Sequence, residues 1–129
     1  MTIKTIGFIG TGVMGKSMIR HLLKKYNVVL YNRTKERALD LLEEGAIWAD
    51  TPTEVANQSD VVLTIVGYPK DVEEVYFGEQ GIFKSTKEHL VVVDLTTSTP
   101  TLAKRIAEEA AARSWEALDA PVSGGDLGA

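Results

Sequence analysis

Ile6-Gly7-Phe8-Ile9-Gly10-Thr11-Gly12-Val13-Met14-Gly15 passes from an apolar run straight into a G-x-G-x-x-G pattern, and a segment of helical period follows it. Strand, glycines and helix in that order turn a common glycine pattern into a dinucleotide-binding signature. Gly10 permits the tight turn that ends the strand, Gly12 lets the backbone approach a pyrophosphate, and Gly15 lets helix and strand pack closely. The unpaired N–H groups of the first helical turn then face the phosphate charge.

Outward from this stretch, short apolar runs alternate with helix-period segments to the end of the chain. Strands are predicted over 5–9, 28–31, 47–48, 61–66, 90–93 and 115–118. The first helix is predicted over 13–25. A second runs through Glu36, Leu39 and Leu42 and stops near Gly45, a C-cap type of residue. Thr51-Pro52-Thr53-Glu54 reads as a capping box with proline at the first helical position. Further helices are predicted over 70–77 and from Thr99-Pro100 to about Arg113. The uninterrupted run over 61–66 predicts a strand covered by helices on both faces. Six strands with intervening crossovers define an α/β fold, a doubly wound, mostly parallel sheet of the Rossmann type, in a single domain over 1–129. Such a sheet binds ligands beyond the carboxyl ends of its strands, where the strand order reverses.

Composition sets the outer limits. The 129 residues, 44% hydrophobic and 25% charged, fit one globular domain able to bury roughly two-thirds of its unfolded surface. A net charge of −4 leaves no basic excess for nucleic acid or an anionic membrane. No apolar stretch reaches spanning length. Met1-Thr2-Ile3-Lys4 runs directly into the first strand, so no signal peptide is expected. The chain has no cysteine, which fits a reducing compartment and an expected cytoplasmic location. No metal-ligand set is read.

The end of the second strand is where such a fold chooses its cofactor. An NAD site places Asp or Glu there, about 20 residues past the glycines, to hold the ribose hydroxyls. This chain has Asn32-Arg33-Thr34. Asn32 does not repel a 2′-phosphate, Arg33 supplies a planar cation for it or for stacking on adenine, and Thr34 adds a hydroxyl. Lys35 and Arg37 reinforce the local positive field. The same residues also fit a plain turn, with Asn32 as turn residue, Thr34 as N-cap and the cations as a solvated face. That alternative leaves the missing carboxylate unexplained, so NADP is expected over NAD.

Two later motifs follow strands. In Asp94-Leu95-Thr96-Thr97-Ser98-Thr99-Pro100, hydroxyls lie near the expected nicotinamide ribose, although Thr99 alone is also an ordinary helix N-cap. In Asp119-Ala120-Pro121-Val122-Ser123-Gly124-Gly125, a hydroxyl and exposed N–H groups suit a carboxylate or phosphate, although a Gly-Gly pair is also an ordinary turn.

Taken together, 7–15 and 119–125 resemble the β-hydroxyacid dehydrogenase family, which includes 3-hydroxyisobutyrate, tartronate semialdehyde and 6-phosphogluconate dehydrogenases. The resemblance covers the whole chain. It implies that Gly10, Thr11, Gly12, Val13 and Met14 hold the pyrophosphate, and that Asn32, Arg33 and Thr34 hold the adenosine end of NADP. It implies that Val66, Gly67, Tyr68 and Pro69 line the cofactor, although Val66-Gly67-Tyr68-Pro69 departs from the family's more usual Leu-Pro in that loop. Thr97 falls where the family has a hydroxyl near the nicotinamide. Ser123, Gly124 and Gly125 match its loop for the substrate carboxylate.

The family's catalytic lysine lies beyond residue 129, followed by an all-helical domain that completes the substrate pocket and mediates dimerisation. The chain is therefore expected to be the first part of a longer protein, a homodimer or higher oligomer acting on a small carboxylate, and to be inactive alone. None of the residues present is a good acid–base substitute. His21 is expected on the solvent side of the first helix and His89 at the far end of the fifth strand. Lys70 reads as a solvated charge beside Asp71, and Asp119 and Asp126 would repel an anionic substrate. An imine reductase carries a similar N-terminal domain, and a dinucleotide-sensing module could keep the fold without the chemistry. A methyltransferase usually wants an acid where Asn32 stands.

Overall fold

Apolar β1 (Thr5–Ile9) lies at the centre of a six-stranded sheet, hydrogen-bonded to β2 (Asn27–Tyr31) on one side and β4 (Val61–Thr64) on the other. With β3 (Ile47–Trp48), β5 (Val91–Asp94) and β6 (Glu116–Asp119) the order is β3-β2-β1-β4-β5-β6, and all five pairs are parallel. The helices are α1 (Val13–Leu22), α2 (Leu39–Glu43), α3 (Pro52–Gln58), α4 (Pro69–Phe77) and α5 (Pro100–Ala112). The computed structural model describes residues 3–10, 13–66, 69–95 and 99–119, with backbone alone at Val13, Met14, Pro69 and Asp119.

Alternation along the strands divides the core. Phe8, Val28 and Leu30 point to one face and pack with Ile19 of α1 and Leu41 of α2. Ile9, Val29, Val62 and Val92 point to the other, beneath Val55 of α3, Val72 and Tyr76 of α4, and Ile106 of α5. Gly7 is what lets α3 lie directly on β1, because a Cβ there would collide with Ser59 Oγ and Val55.

Several predicted boundaries move. The first helix ends at Leu22, three residues before the predicted end, because the N–H groups of Lys24 and Lys25 switch to carbonyls three residues back, those of His21 and Leu22, as the chain turns into β2. The second is split into a 3₁₀ turn (Lys35–Ala38) and α2, and Gly45 follows with φ +115° as the C-terminal reading requires. β4 stops at Thr64 and is covered unevenly. Val62 and Thr64 are buried, while Val61 and Leu63 are half-buried, since among the described residues only α1 and α2 cover that face. β5 and β6 each begin and end one residue later than predicted, which places Asp94 and Asp119 inside the strands, in register with each other. The Thr51 cap holds, accepting from Glu54 N, but the Glu54 carboxylate reaches back to Asp50 N instead of Thr51.

At the end of the sheet remote from the strand carboxyl termini, Asp60 joins the starts of three strands. Its Oδ2 accepts from Lys4 N at 2.9 Å and Thr5 N at 3.1 Å, and its backbone bonds Thr5 and Val91. Those two N–H donors hold its carboxyl below the usual aspartate range, helped by Lys87. A depressed folded pKa means stability that is fully present above the ordinary value near 3.9 and lost as pH falls through the lowered one. Asp60→Asn is expected to lower unfolding free energy by about 1–2 kcal/mol at neutral pH and to flatten the acid limb of the stability curve. Urea melts between pH 2 and 7 check this, and an unchanged acid limb would contradict it.

Candidate functional site

β1 is the strand at which sheet order reverses, and a cleft of about 1170 Å³ opens beyond its carboxyl end. The turn that shapes it depends on Gly10. Its N–H donates to Tyr31 O at 3.0 Å, continuing the β1–β2 ladder, while Ile65 N donates to Ile9 O at 3.0 Å on the β4 side. Between these two ladders Gly10 adopts φ +98°, and a Cβ would drive into the Ile65 carbonyl. Gly15 is tight in another way, since its Cβ would stand 3.1 Å from Gly10 O and 3.3 Å from the Phe8 ring. α1 therefore starts against the strand end, and its first turn carries no acidic residue to compete with a bound anion.

The cleft brings together Gly10, Gly15, Asn32, Arg33, Thr34 and Val66, all singled out from sequence. Their local chemistry is more specific than expected. Asn32 Nδ2 donates to Thr34 O at 2.8 Å, so the side chain shapes the turn at the end of β2. Thr34 occupies the N-cap position of the 3₁₀ turn without using its side chain as a cap. Arg33 is no isolated cation, because its Nη2 lies 3.0 Å from Asp71 Oδ1 on α4. Lys35 does not reinforce the cleft, as its Nζ sits 5.4 Å above the Trp48 ring, whereas Arg37 lines the cavity.

Sequence reasoning missed the wall opposite. Asp71, Glu74, Val75 and Gly78 line the cleft at i, i+3, i+4 and i+7, one face of α4 and its end. That periodicity is the signal the sequence offers for this wall, although periodicity alone does not tell which neighbour the face of α4 meets. Lys70 is exposed, the solvated charge expected of it, while Asp71 beside it is largely enclosed and paired with Arg33. His21 and His89 are exposed, and Thr99 caps α5 by accepting from Leu102 N at 3.2 Å. Thr11, Gly12, Gly67, Tyr68, Thr97, Ser123, Gly124, Gly125 and Asp126 lie outside the described residues, as do the side chains of Val13, Met14, Pro69 and Asp119.

A parallel sheet in this order, with its cleft at the reversal point and a glycine turn entering α1, defines a Rossmann-type dinucleotide-binding domain. The family model described as the NAD binding domain of 6-phosphogluconate dehydrogenase matches residues 5–129, and the chain belongs to that family. An uncharacterized oxidoreductase of Bacillus subtilis is 58% identical over 98% of the chain and 44% of its own length. A probable mitochondrial 3-hydroxyisobutyrate dehydrogenase-like protein of Arabidopsis thaliana is 52% identical over 96% of the chain and 38% of its own. A solved structure titled Psf3 in complex with NADP+ and 2-OPP superimposes with a TM-score of 0.85 at 31% identity, covering 93% of this chain and 43% of that one. The chain thus spans about two-fifths of the length of the relatives it matches. No helix among the described residues is long and apolar enough to cross a membrane.

The glycine turn yields a direct test. Gly10→Ala forces a side chain into a left-handed backbone and against a carbonyl, and is expected to cost at least about 1–3 kcal/mol. Gly15→Ala, where neighbours need yield only slightly, is expected to cost about 1 kcal/mol. Chemical denaturation of both variants checks the ranking, and a Gly10→Ala protein as stable as the parent would contradict it.

Proposed function

We propose that this chain is the NADP-binding domain of a longer oxidoreductase that moves a hydride between the nicotinamide and a small 3-hydroxy acid. The observation that carries the reading is the cleft itself. It joins the glycine turn at the end of β1 to Asn32-Arg33-Thr34 at the end of β2, with no carboxylate at the position that would bind ribose hydroxyls. In this reading Gly10, Thr11, Gly12, Val13 and Met14 receive the diphosphate. Arg33 and Thr34 receive the 2′-phosphate, with Arg37 adding to the field. Val66, Gly67, Tyr68 and Pro69 lead toward the nicotinamide, and Thr97 stands beside it.

The substrate part of the proposal rests on Ser123, Gly124 and Gly125, whose hydroxyl and N–H groups would hold a carboxylate, and on the names of the relatives. The proton partner for the hydroxyl is assigned to a lysine outside these 129 residues. The chain alone then binds cofactor without turning over substrate. The cofactor, when bound, supplies the hydride acceptor. The chain's own part is to fix the diphosphate with oriented N–H groups and to discriminate at the far ribose.

Calorimetric titration with both nicotinamide cofactors tests this. NADP is expected to bind more tightly than NAD, and Arg33→Ala to weaken NADP by about tenfold or more, as loss of a charge-assisted phosphate contact requires, while NAD changes little. Tighter NAD binding, or NADP affinity indifferent to Arg33→Ala, would overturn the cofactor assignment. Turnover of a small 3-hydroxy acid by the chain alone would overturn the division of labour.

A further inference from the structure

The cleft carries opposite charges on its two walls. Arg33 and Arg37 come from the β2 side, whereas Asp71, Glu74 and Glu79 come from α4 and the turn after it. The walls meet where Arg33 Nη2 lies 3.0 Å from Asp71 Oδ1 across 38 residues of sequence. The two partners are unequal. The Arg33 side chain is 77% exposed and the Asp71 side chain only 14%. The acid is held by the first turn of α4, while the guanidinium reaches it from a long side chain standing mostly in solvent.

We propose that Asp71 sets the cofactor preference of the cleft by competing with the 2′-phosphate for Arg33. The proposal rests on the reading of the cleft as a dinucleotide site. A 2′-phosphate recruits Arg33 by drawing the guanidinium away from a fixed carboxylate, and it must settle near that residual negative charge. NAD, with a hydroxyl at the same place, needs no such exchange. Asp71 therefore weakens NADP selectively, and an acid absent from the end of β2 is replaced, in electrostatic effect, by one supplied from α4. Because the pair spans two elements, its opening also removes one link between the β2 end and α4 as the cofactor enters. Asp71 touches neither cofactor in this scheme and acts through Arg33, as a positioning residue.

The test is the ratio of NADP to NAD dissociation constants, a quantity that general loosening of the fold does not shift. Asp71→Asn is expected to tighten NADP by about three- to tenfold, the scale of one partly enclosed ion pair, and to leave NAD within about twofold. Asp71→Glu keeps the charge and is expected to keep the parent ratio. In the Arg33→Ala background, Asp71→Asn is expected to lose most of its effect. If Asp71→Asn fails to fold by circular dichroism, Asp71→Ser serves in its place with the same expected shift. NADP binding with a ratio unchanged in the Asp71 variants would overturn the competition while leaving the dinucleotide reading intact. Failure of the unaltered protein to bind either cofactor would overturn both.

Discussion

The close passage of Gly10 beneath the Ile65 carbonyl is the constraint on which the rest of this domain depends. At that residue β1 finishes its ladder to β2, the chain enters the left-handed region, and the start of α1 is brought over the strand end. A side chain at Gly10 would push the β1 turn away from β4, opening the seam where the sheet order reverses. In the proposed reading, the same turn that packs the helix also offers its first N–H groups to the diphosphate, so that packing and anion recognition would share one physical origin. Gly7 and Gly15 extend the principle, one seating α3 on β1 and the other seating α1 against Phe8.

Around that turn, the two ends of the molecule carry different kinds of electrostatics. Remote from the cleft, Asp60 is satisfied by two backbone donors and serves stability. Across the outer face, Lys16 and Arg20 of α1 hold Asp40 and Glu44 in exposed ion pairs that align α1 with α2. Within the cleft, by contrast, the pair between Arg33 and Asp71 joins a largely exposed cation to a largely enclosed acid. Exposed pairs of the first kind contribute little net energy and gain little by rearranging. The cleft pair lines the cavity proposed for the dinucleotide, and under that proposal an incoming 2′-phosphate would take over one partner, a role in selection that the surface pairs lack.

The fold was readable because its signals were local and repeated. Strand-length apolar runs alternating with capped helices gave all six strands, and the Thr51 and Thr99 caps and the Gly45 terminus behave as those residue types dictate. Boundaries slipped where tertiary geometry decides them. Lys24 and Lys25 could continue a helix, but the parallel pairing of Asn27 with Thr5 requires the chain to turn first. Val66 continues an apolar run, yet β4 ends at Thr64, and after one last ladder bond from Ile65 N to Ile9 O the Ile65 carbonyl lies against Gly10. At the site, the residues attached to strand ends were legible, and the wall contributed by α4 was not. Asp71 meets Arg33 only because β4 sits beside β1, a neighbour relation that sequence order conceals. Gly7 was visible as part of a motif, but its task appears only when α3 is seen above it.

The measurement that reaches the central claim most directly is the backbone amide spectrum of the isotopically labelled chain during titration with NADP. If the turn at the end of β1 receives the diphosphate and the end of β2 receives the far ribose, the largest saturable shifts fall at Gly10, Gly15 and Asn32 through Thr34, with Asp71 shifting as Arg33 departs. Perturbations gathered elsewhere on the molecule, or a spectrum unchanged at saturating cofactor, would contradict the account.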